Sequence, residues 1–181
     1  CEKAMSDDVR LDTHVVGNIE VAKQAVHQAA LAEGLSSTVY DEFIDGEVTE
    51  VAQQLYGKLC DAPSGIHIWG GETTVCLPDS PGIGGRNQAL ALYFARHISE
   101  HPGLHFLSAG TDGVDGHSNC AGGIVSMYTM QKAARMGIDV EAELAKANSG
   151  VALMATDDLV PGVASNTNVM DIMCMLVGNS G

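Results

Sequence analysis

Ala22, Ala25, Val26, Ala29 and Ala30 recur three or four positions apart, which is the spacing of one helical face. Asn18 precedes them as a cap and Gly34 follows as a stop, so the pattern predicts a helix over residues 19–33. Val48, Val51, Ala52, Leu55 and Leu59 form a second stripe and predict a helix over 47–59. Residues 14–17 read as a short extended piece and 37–40 as a strand. After the breakers Pro63, Ser64 and Gly65, residues 66–69 read as a strand, Gly70 and Gly71 interrupt it, and 73–77 extend again. A loop rich in proline and glycine covers 78–85. A helix follows over 86–100, stopped by Pro102 and Gly103. Residues 104–107 read as a buried strand and 108–119 as a polar, glycine-rich loop. The region 121–136 turns helical by about Ser126, and further helices are expected over 140–147 and 151–156. The almost continuous apolar run 169–177 suits a central strand.

Strands alternating with helices predict an α/β fold, a layered sheet with flanking helices. A composition shift near Pro63 divides the chain into two expected units, residues 1–62 and 63–181. Of the 181 residues 45% are hydrophobic but only 4% aromatic, so the core must rest on Ala, Val, Leu, Ile and Met. A formal net charge of −14 argues against nucleic acid or an anionic membrane surface as partner. No apolar run reaches the ~18–20 residues of a membrane span. The five cysteines are odd in number, scattered and without a CxxC, so neither a disulfide framework nor a zinc site is expected, and a reducing cytoplasm fits. The opening CEKAMSDDVR has no Met, and the closing LVGNSG follows directly on an apolar run. Both suggest a fragment of a longer protein.

Four polar loops collect the candidate chemistry. In GGETT, Gly70 and Gly71 allow close backbone approach, Glu72 could bind a metal or accept from a hydroxyl, and Thr73 follows; a plain turn reads equally well. In GIGGRNQ, Gly84 and Gly85 open a helix start whose N–H groups attract anions. Arg86 adds a fork that matches phosphate or carboxylate, and Asn87 and Gln88 add neutral donors. The stretch is neither a P-loop nor a dinucleotide GxGxxG. In SAGTDGVDG, Asp112 and Asp115 flank glycine turns; closely spaced carboxylates suit Mg²⁺, one could serve as a base, and Asx-turns would explain both without function. In SNTNVMD, hydroxyl and amide side chains could bind a polar ligand or simply cap turns. The seven histidines show no ligand spacing such as HExxH.

Taken together, GGETTV, GGRNQALAL, SAGTDGVDG with AGGIV behind it, and NTNVMD resemble the carboxy-terminal MOFRL domain of the glycerate 2-kinases, many of which carry the older name hydroxypyruvate reductase. The resemblance spans about residues 66–177, and residues 14–59 look like the tail of the preceding domain. It implies transfer of the γ-phosphoryl group of ATP to the 2-hydroxyl of D-glycerate with Mg²⁺, in a cleft between two α/β domains. The larger amino-terminal domain carries a glycine-rich SGGGS-type loop and a functional lysine. Neither is in this chain, so that domain is the expected partner, a hydroxy acid is the expected substrate, and the chain alone should be inactive. A homo-oligomer is left open.

Carried onto this sequence, the resemblance makes Arg86 and Asp112 the catalytic candidates. The expected substrate or phosphate contacts are Gly70, Gly71, Glu72, Thr73, Gly84, Gly85, Asn87, Gln88, Gly110, Thr111, Gly113, Thr167 and Asn168, with Asp112 and Asp115 toward Mg²⁺. The chain departs from the family at PGVASNTNV, where members often read GTNV with a TGPTG-like lead. It also has Asn148-Ser149-Gly150 where members often carry Asn-Asp-Ser-Tyr, and Ala89 where an acid usually follows GGRNQ. An NAD(P)H-dependent reductase is the alternative reading, although no GxGxxG follows a strand. A non-catalytic assembly module is the other, although such a surface would expose apolar patches rather than dense polar loops.

Overall fold

A computed structural model describes residues 17–58 and 62–178. The piece expected over 14–17 and the end of the helix expected over 47–59 therefore fall largely or partly outside the described residues.

Helix α1 (Ile19–Ala32) begins where the sequence places it, with the Asn18 side chain accepting from Val21 N–H. Strand β1 (Ser37–Glu47) is longer than expected and runs directly into α2 (Val48–Gly57), whose start is capped by the Glu47 carboxylate. Strand β2 (Gly65–Thr74) passes straight through Gly70 and Gly71, which do not interrupt it. The glycines are there for close approach. A Cβ on Gly71 would stand 1.9 Å from the Ile44 carbonyl oxygen, and one on Gly70 would stand 2.2 Å from the Ile19 side chain.

Helix α3 (Arg86–Ile98) is followed by β3 (Leu104–Gly110), which takes in the start of the expected polar loop. The region expected to turn helical by about Ser126 starts as a strand, β4 (Cys120–Ser126), in which Gly122 leaves room for the Ser108 carbonyl of β3. Short helices α4 (Thr129–Arg135), α5 (Val140–Ala145) and α6 (Ser149–Thr156) lead to β5 (Leu159–Pro161), and β6 (Asp171–Val177) is the expected apolar strand.

The sheet has six strands in the order β1-β2-β6-β3-β4-β5. Strands β1 and β2 are parallel; every other neighbouring pair is antiparallel. The composition shift near Pro63 falls inside this sheet, since β1 and β2 lie on its two sides and pair from Ser37–Ile66 to Glu47–Thr74. Side chains alternate along a strand. Gly70 faces Ile19 of α1, whereas its neighbour Trp69 joins the core with Leu55 of α2 and Leu90 and Phe94 of α3. The α1 helix therefore covers one face, and α2 and α3 cover the other. Aliphatic side chains dominate this core, as the composition requires, and the stacked rings of Phe94 and Phe106 sit within it. Burial pushes the Cys174 thiol up to about 12, so it packs as a small apolar group. No described helix is long and apolar enough to cross a membrane.

Candidate functional site

The ends of β2, β3 and β6 and the start of α3 meet at one edge of the sheet, where the sequence concentrates its polar loops. Arg86, the first residue of α3, reaches across to Asp171, the first residue of β6. Its Nε donates to Asp171 Oδ2 at 2.7 Å and its Nη2 donates to Oδ1 at 3.2 Å. The outer Nη1 pairs with Glu72 Oε1 at 3.0 Å. Asp171 is only 1% exposed, and its partners on the flanking strands are Gly71 and Gly110. Neither partner has a side chain, which leaves room for a guanidinium beside a buried carboxylate. The hydrogen bond to Asp171 holds the Arg86 guanidinium above the ordinary arginine value, against the opposing effect of partial burial. Arg86 is thus a fixed cation with two very different partners, one buried and one half-exposed.

The start of α3 has no cap of its own, because Gly85 offers no side chain. Asp115 supplies one from the loop after β3. Its Oδ1 accepts from Asn87 N–H at 3.1 Å and its Oδ2 accepts from Gln88 N–H at 2.8 Å. A Cβ on Gly85 would stand 2.4 Å from that carboxylate, so the glycine makes room for Asp115. Burial raises the Asp115 carboxyl above its usual range, and the donors from Gln88 and Asn87 oppose the shift. The helix start expected to await an anion already holds one belonging to the protein, and the carboxylate expected to serve a metal has both oxygens on amides. Asn87 and Gln88 face inward as well. Asn87 accepts from Ser108 Oγ at 2.5 Å, and Gln88 Nε2 donates to Ser118 Oγ at 2.7 Å.

A cleft of about 450 Å³ opens over this arrangement. Of the residues named from the sequence, Glu72, Gly84, Gly85, Arg86, Asn87, Asp112, Asp115 and Asn168 line it, and Gly70, Gly71, Thr73, Gln88, Gly110, Thr111, Gly113 and Thr167 do not. Asp112 accepts from Val114 N–H at 3.0 Å and from Asn168 Nδ2 at 3.3 Å, which joins the loop after β3 to the loop before β6. Thr111 strengthens that joint, donating from Oγ1 to Met170 O at 2.7 Å and accepting from Val169 N–H at 2.9 Å. Gly113 makes the turn after Asp112 with φ +82°. Thr167 bonds only within its own loop, to Ser165. Thr73 is buried with its hydroxyl unpartnered.

Among the described residues no group of three or more His, Cys, Asp or Glu side chains is arranged to hold a metal. With Glu72 and Asp171 on Arg86, and Asp115 on α3, Asp112 is the cleft carboxylate tied to neither a cation nor a helix start, and among the described residues its oxygens accept only from Val114 N–H and Asn168. That suits Mg²⁺ carried in on phosphates, which needs only one or two carboxylates, and does not amount to a cage.

The start of α6 forms another part of the wall. Asn148 lends it no side-chain cap: its Oδ1 accepts from Ile83 N–H at 2.8 Å, and its Nδ2 donates to Glu143. Ser149, 2% exposed, lines the cleft beside Gly84. Asp171 and Ser149 are the two residues the sequence reading passed over. Asp171 was visible as an acid opening an apolar run, but nothing local marks Ser149.

The MOFRL family model matches residues 65–171. The chain belongs to the MOFRL family. Relatives of this MOFRL chain include a putative hydroxypyruvate reductase of Agrobacterium vitis, 32% identical over 98% of this chain and 48% of the relative. Glycerate 2-kinase of Pyrococcus horikoshii is 30% identical over 97% and 42%. A glycerate kinase crystal structure from Thermotoga maritima superposes with a TM-score of 0.84 at 32% identity, over 91% of this chain and 41% of that one. A second solved structure, from Pyrococcus horikoshii, gives 0.85 at 28% identity, over 99% and 43%. The MOFRL chain therefore spans less than half the length of these relatives.

Proposed function

We propose that this MOFRL chain forms one wall of a glycerate 2-kinase active site, completed by a further α/β domain of the same polypeptide. The observation that carries the reading is Arg86, anchored on buried Asp171 and facing a cleft shared with Asp112 and Asn168. Relatives of similar sequence and matching fold are named glycerate kinases. Phosphoryl transfer depends on positioning and charge neutralisation more than on covalent chemistry, which suits a rigid cation on a preset anchor.

In this reading Arg86 meets the oxygens of the phosphoryl group in transit, and Glu72 yields its place on Nη1. Asp112, held by Asn168, orients the attacking 2-hydroxyl of D-glycerate and takes its proton. Mg²⁺ bound with ATP would supply neutralisation of the phosphate charge, and Asp112 is the carboxylate of this chain that would meet it. Alone, the chain lacks the nucleotide-binding half and is inactive. Free Cys76, Cys120 and Cys174 suit a cytoplasmic enzyme.

The test compares the full-length protein with its Arg86→Ala variant, following ADP release with D-glycerate, ATP and Mg²⁺ beside NAD(P)H oxidation with hydroxypyruvate. Glycerate-dependent ADP release that falls steeply in the variant is the expected result. NAD(P)H oxidation without ADP release would sink the kinase reading and favour the reductase named among the relatives.

A further inference from the structure

The cleft contains one helix start that the protein does not fill. Helix α6 has no side-chain cap, because Asn148 is turned away onto Ile83 N–H and Glu143. Gly150 N–H is spent on Ile83 O at 2.9 Å. Ser149 is different. Among the described residues neither its N–H nor its Oγ has a hydrogen-bond partner, although the residue is only 2% exposed and lines the cleft. Both atoms converge on the same wall: Oγ lies 2.5 Å and N 3.3 Å from where a Cβ on Gly84 would be. Open to the cleft and without a protein partner, the hydroxyl is free to bond a ligand or water there. Here that hydroxyl stands beside an uncapped amide at the positive end of a helix.

We infer that Ser149 Oγ–H and N–H form a carboxylate-binding subsite, separate from Arg86, that receives the carboxylate of the hydroxy-acid substrate. The inference rests on the kinase reading above. Two neutral donors side by side match the two oxygens of a singly charged carboxylate. A phosphoryl group, with more charge to neutralise, is better matched by the Arg86 guanidinium on the same cleft. Glu143, which bonds Asn148 at the helix start, is also tied to Lys146 Nζ at 3.2 Å, so its charge is shared before it meets the ligand. This division of labour would hold the acid by one end and leave its 2-hydroxyl free to face Asp112.

The experiment uses the full-length protein and its Ser149→Ala, Ser149→Asp and Arg86→Ala variants. Calorimetric titration with D-glycerate, without nucleotide, gives Kd; steady-state ADP release gives KM for each reactant. Ser149→Ala should raise Kd and KM for D-glycerate about tenfold, as expected for one hydrogen bond to a charged group, with KM for ATP and Tm unchanged. Ser149→Asp, which puts a carboxylate where the ligand's would sit, should abolish D-glycerate binding while the protein still binds ATP. Unchanged Kd for D-glycerate in Ser149→Ala would overturn the subsite, as would a rise confined to KM for ATP. If Arg86→Ala loses turnover while both Ser149 variants bind D-glycerate normally, the subsite falls and the kinase reading stands. If the parent protein neither binds D-glycerate nor releases ADP with it, the kinase reading falls and takes the subsite with it.

Discussion

Helices α3 and α6 both begin at the cleft, and both lack a cap on their own chain segment. At α3 a remote carboxylate, Asp115, covers two amides and is itself buried by doing so. At α6 the side chain that could have capped the helix is used elsewhere, and Ser149 is left with two donors and no acceptor. The first arrangement locks the loop after β3 onto the helix that carries Arg86. The second leaves two donors open to the cleft, where a ligand or water can bond them. A glycine-rich helix start is thus no guide by itself to where an anion binds, because the protein can supply the anion. What separates the two starts is whether an internal carboxylate reaches the amides.

The contrast is open to test, beginning with the largest effect. Arg86→Ala in the full-length protein should slow glycerate-dependent ADP release by about 10²–10³-fold. Next in size is Asp171→Ala, which leaves the guanidinium without its buried partner. Arg86 is only partly buried and keeps Glu72, so losing its two hydrogen bonds to Asp171 should cost about 2–4 kcal/mol, and urea unfolding measures it. Asp115→Ala uncovers two amides at α3 and should cost about 2–4 kcal/mol in the same assay. Ser149→Ala sharpens the comparison by doing little there: unfolding stability should stay within about 0.5 kcal/mol of the parent, since no internal bond is lost. If Asp115→Ala proved as mild as Ser149→Ala, the distinction between a filled and an open helix start would collapse.

The smallest effect is one of pH. Burial raises the Asp115 carboxyl, so the folded chain binds that proton more readily than the unfolded chain does. Its contribution to stability is present below the ordinary aspartate value of about 4 and is lost as pH rises through the higher folded value. Asp115→Asn should remove this slope, leaving a flatter stability profile in mildly acid buffer than the parent shows.

Much of the frame was legible in the chain. The 3.6-residue stripes and the Asn18 cap marked α1 and α2, and the unbroken apolar run marked β6 as central. What failed was glycine. Gly70 and Gly71 were read as punctuation, because locally a glycine signals a turn. In the fold they are places where Ile19 or the Ile44 carbonyl comes too close for a Cβ, and that need is set by residues distant in sequence. At the site, Arg86 and Asp112 were legible by residue type and loop position. Asp171 was in view but passed over, because it sits at the border of two patterns, last of a polar loop and first of an apolar strand. The burial that makes Ser149 unusual is wholly tertiary, so no spacing could have announced it.

The sheet order has a consequence for how the molecule comes to exist. Strand β6 is the last of the described strands, yet it lies between β2 and β3. Until it is synthesised, β1–β2 and β3–β4–β5 are two ribbons with no ladder joining them, each presenting a bare edge to the other. Nascent chains stalled before residue 171 would expose those edges and be prone to aggregate. The residue that begins the joining strand is Asp171, so the anchor for Arg86 arrives in the same step that closes the sheet. A chain that has not finished folding therefore has no fixed arginine.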